Sequence, residues 1–154
     1  MASDLSDRTE DYLRSIHRIV SEKGFARIKD VSHDLDVKPS SAVEMVRKLS
    51  DLGLVRYEKY GGITLTGQGT EIAEVIEKRR ETFRKFLSII LVPEKIAADD
   101  AHILEHRLHP ETILQFTRFV EFVTTTREHP RFLARWWEEF KQFCDRQKTP
   151  RRKV

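Results

Sequence analysis

The segment AHILEHRLHP, residues 101–110, concentrates side chains that can bind a metal ion. It contains His102, Glu105 and His106, which are spaced at i, i+3 and i+4. In a helix this spacing places the three side chains on one face, so that two imidazoles and a carboxylate can converge on one point. Such ligands suit first-row divalent transition metals. From the residues alone, two interpretations stay open: a metal site, or only the solvated polar face of a helix.

The same segment contains the string H-x-x-E-H. In inverzincin peptidases the two histidines of this motif hold zinc and the glutamate acts as a general base. Those enzymes also need a distant acidic ligand and a large substrate chamber, for which a chain of 154 residues leaves little length. We therefore predict that the protein is not an enzyme and keep a zinc peptidase only as a remote alternative.

Composition and charge exclude several classes of protein. No apolar run approaches the ~20 residues that span a bilayer. The N-terminal segment MASDLSDRTEDYL is acidic where a signal peptide needs a basic region, so we expect a cytoplasmic protein. The single cysteine, Cys144, excludes an intrachain disulfide framework. A net charge of +3 permits nucleic-acid binding without arguing for it.

The chain is predicted to begin with three helices, which belong to the elements that must position the metal-binding side chains. Residues 7–22 show the apolar spacing of an amphipathic helix, which ends at Gly24. A short helix follows, and a third begins at Pro39 and ends at Gly53. The buried stripe of the third helix is predicted to contain Val43, Val46 and Leu49. Two short helices joined by a short turn indicate a helix-turn-helix.

The next segment, LVRYEKYGGITLT, alternates around Gly61-Gly62, which predicts a β-hairpin. Three helices followed by a hairpin form the order of a winged helix-turn-helix, with the hairpin as the wing. From Thr66 the pattern predicts a long helix of about 24 residues, and long apolar-striped helices of this kind often form dimers. Further helices are predicted to begin at Pro93, Pro110 and Pro130.

We therefore predict a mainly α protein with two domains and a tail. A winged helix-turn-helix DNA-binding domain covers residues 1–66. An all-helical dimerisation and metal-binding domain covers residues 67–147, and a basic tail covers residues 148–154.

The third helix and the wing carry the predicted DNA contacts. The second helix of a helix-turn-helix enters the major groove with its N-terminal residues leading. Hydroxyl and carboxylate side chains there can contact base edges, whereas basic side chains contact phosphates. The alternative is that these residues are solvated surface charges. The predicted set is Lys38, Pro39, Ser40, Ser41, Glu44, Arg47, Lys48, Arg56 and Lys59.

Residues 9–115 resemble the diphtheria-toxin-repressor family of metal-dependent regulators, most closely its manganese-sensor branch. The wing YEKYGGITLT and the Glu105-His106 pair carry much of the resemblance. It implies a homodimer that represses metal-homeostasis genes by binding double-stranded operator DNA when a divalent metal is present, with no membrane or small organic partner. It also implies one metal site that joins the DNA-binding half to the dimer half, with ligands at Asp11, His102, Glu105 and His106.

Two of these ligand positions differ between branches of the family. Asp11 stands where manganese sensors have aspartate and iron sensors have methionine. His102 is a departure, because relatives have glutamate or cysteine there, and it favours iron slightly over manganese.

The second metal position of the family is not kept in this sequence. Its ligands would fall on Arg14 and Arg80, and in the iron branch on Arg84, but a guanidinium cannot ligate a cation. We therefore predict one mononuclear site per protomer for Mn(II) or Fe(II), with Zn(II) or Co(II) also possible. In the alternative, the arginines pair with Asp11 and Glu105, and the protein is a metal-independent winged-helix regulator.

Overall fold

A computed structural model describes residues 5–58, 61–125 and 130–147, and within them the protein is mainly helical. Contacts divide the chain into two compact units, Met1–Lys78 and Arg79–Val154. The elements of the described residues are α1 (Asp7–Lys23), α2 (Ile28–Asp34), α3 (Pro39–Asp51), β1 (Val55–Glu58), β2 (Gly62–Leu65), α4 (Gly67–Ile89), α5 (Glu94–Arg107), α6 (Pro110–Thr125) and α7 (Pro130–Arg146). The predicted tail, residues 148–154, lies outside the described residues.

The first helix forms where its apolar spacing predicts it. The backbone N–H of Thr9 donates to the Ser6 hydroxyl at 3.3 Å, which caps the N-terminus of α1. Gly24 ends the helix with a φ of 83°. The apolar face of α1 is buried in the core of the first unit, and it is formed by Tyr12, Leu13, Ile16 and Ile19.

The buried stripe of α3 differs from the prediction by one residue. Ala42, Val46 and Leu49 are fully buried, whereas Val43 is only partly buried. Positions 42 and 43 both keep helical spacing with 46, so the sequence pattern allows either of them in the stripe. The structure places the smaller alanine inward.

The wing is a two-stranded antiparallel hairpin in which Val55 pairs with Leu65 and Glu58 pairs with Gly62. The turn was predicted at Gly61-Gly62, but Gly62 already belongs to β2 and has a φ of 91°. Backbone hydrogen bonds of 2.9 and 2.8 Å between Ala26 and Ile63 attach the wing to the segment that joins α1 and α2. The wing is therefore held in place by a contact between residues distant in sequence.

A polar cluster of Ser15, Arg18 and Asp34 connects α1 to the end of α2. The fully buried Ser15 hydroxyl donates to Asp34 Oδ2 at 2.5 Å, and the Arg18 guanidinium hydrogen-bonds to Asp34 Oδ1. Burial alone would raise the pKa of the Asp34 carboxyl, but the hydrogen bonds from Arg18 and Ser15 outweigh it and lower this pKa. The cluster therefore fixes α1 relative to the helix-turn-helix most firmly when Asp34 is ionised.

We expect Asp34→Asn to lower the free energy of unfolding by about 1–2 kcal/mol at pH 7, because it removes charge-assisted hydrogen bonds. Since the folded-state pKa of Asp34 lies below the ordinary value of 3.8, this stabilisation is complete above that value. It is lost as the pH falls through the folded-state pKa. Urea unfolding at pH 7 and in acid checks this, with the exposed Asp51→Asn as the control. An equal deficit for Asp34→Asn at both pH values would contradict it.

The second unit packs the C-terminal half of α4 against α5 and α6. Its core contains Phe83, Leu87, Ala97 and Ala101. The Phe116 ring lies with its centroid 5.5 Å from that of Phe83. In this unit α7 also touches α4, since the indole N–H of Trp137 donates to the Ile89 carbonyl at 3.1 Å. None of the described helices is long and apolar enough to cross a membrane.

Candidate metal centre and DNA-binding face

The fifth helix brings the predicted ligands of the second unit together. Ala97 and Ala101 are buried, and Glu105 lies one further turn along the same face of α5. The Glu105 side chain is fully buried, the His106 side chain is 6% exposed and the His102 side chain is 39% exposed. A carboxylate, a largely buried imidazole and a partly open one therefore occupy one side of the helix.

These three side chains converge on a single point. His102 Nδ1 lies within hydrogen-bond distance of Glu105 Oε1, at 3.0 Å. His106 Nε2 lies 3.4 Å from the same oxygen. The two imidazole rings are edge-on, with centroids 5.1 Å apart. One ligand atom from each of the three residues lies within 4.8 Å of the others, which is close enough for a shared ion.

The second carboxylate oxygen of Glu105 gives an independent test of whether these residues fit a metal ion. Among the described residues, Glu105 Oε2 is buried and has no hydrogen-bond partner. A buried carboxylate oxygen without a partner is costly, and such atoms in native proteins call for an explanation such as an ion. Two imidazoles beside it complete a nitrogen and oxygen donor set for a divalent transition metal, so the residues fit.

Two of the arginines at the family's second metal positions lie in the second unit, and of these the structure pairs Arg80 with Glu105. Its guanidinium nitrogen NH1 lies 3.6 Å from Glu105 Oε1, and its side chain is only 18% exposed. Arg84 pairs instead with Glu94 at 3.1 Å and with Glu81 at 3.5 Å. The alternative predicts that an arginine pairs with Glu105, and Arg80 lies beside it. Both histidines nevertheless face the same carboxylate.

The remaining predicted metal-site residues lie on α1 in the first unit. Asp11 and Arg14 are both partly buried, on successive turns of that helix. Arg14 lies 3.9 Å from the Glu77 carboxylate. Ser15 and Arg18, which form the polar cluster with Asp34, lie on the same helix as Asp11. Sequence reasoning missed this cluster, although Ser15 is a polar residue inside the apolar stripe of α1.

The predicted DNA-contacting residues of α3 lie at its N-terminus and along its solvent side. Pro39 is the first helical residue and Lys38 is the N-cap, which supplies no side-chain hydrogen bond to the first turn. Backbone N–H groups at such an end favour an anion such as phosphate. Of the predicted set, Ser41 is half-buried, Lys59 lies outside the described residues, and the exposed members are Lys38, Pro39, Ser40, Glu44, Arg47, Lys48 and Arg56.

The turn before α3 has the tight geometry of a helix-turn-helix. Asp36 has a φ of 49°, a left-handed conformation that aspartate tolerates better than most residues. The backbone N–H of Val37 donates to the Ser32 carbonyl at 2.9 Å. These contacts set the direction in which α3 leaves α2.

Comparison with protein families gives two matches that together cover most of the chain. Residues 4–63 match the iron dependent repressor N-terminal DNA binding domain. Residues 66–131 match the iron dependent repressor metal binding and dimerisation domain. The chain is 38% identical to an HTH-type transcriptional regulator MntR of Bacillus pumilus over 119 residues, which cover 77% of this chain and 83% of the relative. A regulator of the same name from Lysinibacillus sphaericus is 36% identical over 121 residues, with coverage of 79% and 85%.

Solved structures with the same arrangement of elements include three proteins of 26–28% identity. The IdeR of T. acidophilum superposes with a TM-score of 0.64 over 71% of this chain and 52% of that one. A manganese-dependent transcriptional repressor in complex with manganese gives 0.65 over 74% and 53%. The protein SSo2273 of Sulfolobus solfataricus gives 0.59 over 75% and 89%. These matches confirm the predicted fold class and the resemblance to metal-dependent regulators.

Proposed function

Because this chain belongs to the iron-dependent repressor family of metal-dependent transcriptional regulators, we propose that one divalent ion per protomer controls its binding to operator DNA. The ion is held by His102, Glu105 and His106, with Asp11 as a fourth ligand. The observation that carries this proposal is the convergence of both imidazoles on Glu105, whose second oxygen is buried without a hydrogen-bond partner among the described residues.

The ligand chemistry sets which metals the site accepts. Two imidazoles and two carboxylates bind Mn(II), Fe(II), Co(II) and Zn(II), with affinity rising towards the later metals. We propose Mn(II) or Fe(II) as the physiological ion, since the matching family is that of iron dependent repressors and a similar solved structure is a manganese-dependent repressor. Arg14, Arg80 and Arg84 occupy the positions of second-site ligands, so the site is mononuclear.

The link from the site to DNA runs through α1. An ion held by the ligands of α5 and by Asp11 would fix α1 relative to α5 only while the ion is present. Within the first unit, the hydrogen bonds from Ser15 and Arg18 to Asp34 transmit the position of α1 to α2. Since α2 and α3 form the helix-turn-helix, α1 then fixes the recognition helix.

Dimerisation places two recognition helices on one operator. We propose a homodimer that presents them about one DNA turn, ~34 Å, apart. The second unit exposes several large apolar side chains that a second copy would bury: Ile90, Ile96, Ile103, Leu114, Phe119 and Phe122. We also propose the domain limits 1–66 and 67–147, a site of action in the cytoplasm, where operator DNA lies, and no catalytic step.

Selection of duplexes from a random-sequence DNA library, with and without Mn(II), tests this function. The wild-type protein should enrich a two-fold symmetric sequence only when Mn(II) is present. His106→Ala should enrich nothing under either condition. Equal enrichment of one sequence with and without metal, in both proteins, would favour the metal-independent regulator instead.

Arg47 is expected to contact a phosphate, because it is exposed on α3 about two turns beyond Ser40. Arg47→Ala should weaken binding to a 30-base-pair mixed-sequence duplex and reduce the slope of log K against log salt by about 1. Fluorescence anisotropy across a salt series measures both values. Arg107→Ala removes an equally exposed charge from α5 and serves as the control. An unchanged slope in the Arg47 variant would remove this residue from the interface.

A further inference from the structure

We propose that Arg80 competes with the metal ion for Glu105 and so sets the metal concentration at which the site fills. The inference rests on the proposed metal site and concerns its regulation. The positive charge of Arg80 repels a metal ion that approaches Glu105, and Arg80 does not act as a ligand.

Arg80 interacts with Glu105 Oε1 in a different way from the two histidines. His102 Nδ1 and His106 Nε2 reach this oxygen at 3.0 and 3.4 Å. Arg80 NH1 reaches it at 3.6 Å, beyond hydrogen-bond distance, so its interaction is electrostatic. The imidazoles become ligands when an ion binds, whereas the guanidinium stays protonated and keeps its charge.

Burial makes this charge effective. The Glu105 side chain is fully buried and the Arg80 side chain is 18% exposed, so solvent screens their interaction weakly. Without an ion, Arg80 provides a positive charge beside the buried Glu105 carboxylate, which stabilises the metal-free protein. An ion bound to Glu105 lies within a few ångströms of the guanidinium and is repelled by it.

In the second unit, Arg84 interacts with carboxylates other than Glu105. Arg84 interacts with Glu81 and Glu94, whose side chains are 42% and 86% exposed. Arg14 lies beside Glu77, which is 49% exposed. The effect on metal affinity is therefore assigned to Arg80, and Arg84 provides a matched control on the same helix.

Two measurements test the proposal. The first is calorimetric titration of the metal-free protein with Mn(II) and, separately, with Zn(II). The second is thermal unfolding of the metal-free protein. We expect Arg80→Gln to bind both metals about tenfold more tightly, because the repelling charge is gone. The metal-free Arg80→Gln protein should melt about 3 °C lower, because Glu105 loses its counter-charge. Arg80→Lys should restore both values towards wild type, and Arg84→Gln should change neither.

Metal affinity in Arg80→Gln that is equal to or weaker than that of wild type would overturn the proposal, whatever happens to the melting temperature. A wild-type protein that binds neither metal would overturn the proposed metal site and this inference with it. The two failures are distinguishable, because the first leaves wild-type binding intact and the second does not.

Discussion

Replacing His106 with alanine is expected to weaken Mn(II) and Zn(II) binding by about 100-fold or more. Loss of a residue that only supports a ligand already costs about 10–100-fold, and His106 is proposed as a ligand itself. Its side chain is 6% exposed and its Nε2 lies 3.4 Å from Glu105 Oε1, so water cannot readily take its place without rearrangement. Calorimetric titration of the metal-free variant measures the loss.

His109→Ala is the matched control, because His109 is exposed and lies just beyond the end of α5. It should bind both metals as wild type does. Thermal unfolding of metal-free His106→Ala should show a cooperative transition, which separates loss of the site from loss of the fold. Undiminished affinity in a folded His106→Ala protein would remove this residue from the centre and leave the H-x-x-E-H segment without its proposed role.

Gly69→Ala is expected to destabilise the first unit by about 3 kcal/mol, although helix propensity alone favours alanine by about 1 kcal/mol. A Cβ atom on Gly69 would lie 1.8 Å from the Leu54 carbonyl oxygen and 2.8 Å from its carbon, which is backbone that cannot yield as a side chain does. Thr66 fixes the same junction, since its hydroxyl donates to Gly53 O at 2.7 Å and accepts from Gly69 N–H at 3.0 Å. Urea unfolding measures the change.

Gly67→Ala makes the same substitution two residues earlier in α4, where a Cβ atom meets nothing within 4 Å. It should leave stability unchanged or raise it slightly. If the free energy of unfolding falls in Gly69→Ala but not in Gly67→Ala, the cause is the Leu54 carbonyl beside Gly69 and not a general effect of alanine. A Gly69→Ala protein as stable as Gly67→Ala would show that the start of α4 does not pack on this carbonyl.

Local patterns in the sequence predict the helices and the grouping on α5. His102, Glu105 and His106 lie on one helix, so helical spacing alone brings them together. Prolines and glycines mark the limits of α1, α3, α6 and α7 for the same local reason. The sequence pattern also predicts the wing, although the hairpin turn is displaced by a residue because Gly62 enters β2.

Contacts between distant residues could not be predicted in the same way. The hydrogen bond from Ser15 to Asp34 joins residues 19 positions apart. The bridge from Ala26 to Ile63 likewise depends on how the elements pack. Sequence spacing also cannot decide whether Arg80 or Arg84 of α4 approaches Glu105, whereas the structure places Arg80 there. These contacts determine the rigidity of the first unit and the electrostatics of the centre.

The number of metal ions bound per protomer is the most direct test of the proposed mononuclear sensor site. Metal-free protein is saturated with Mn(II), freed of excess metal by gel filtration, and analysed for manganese and protein content. We predict one ion per protomer in the wild type and none in His106→Ala. Two ions per protomer would show that the arginine positions do not exclude a second metal. No retained ion, together with no heat of binding at micromolar metal, would contradict the sensor site altogether.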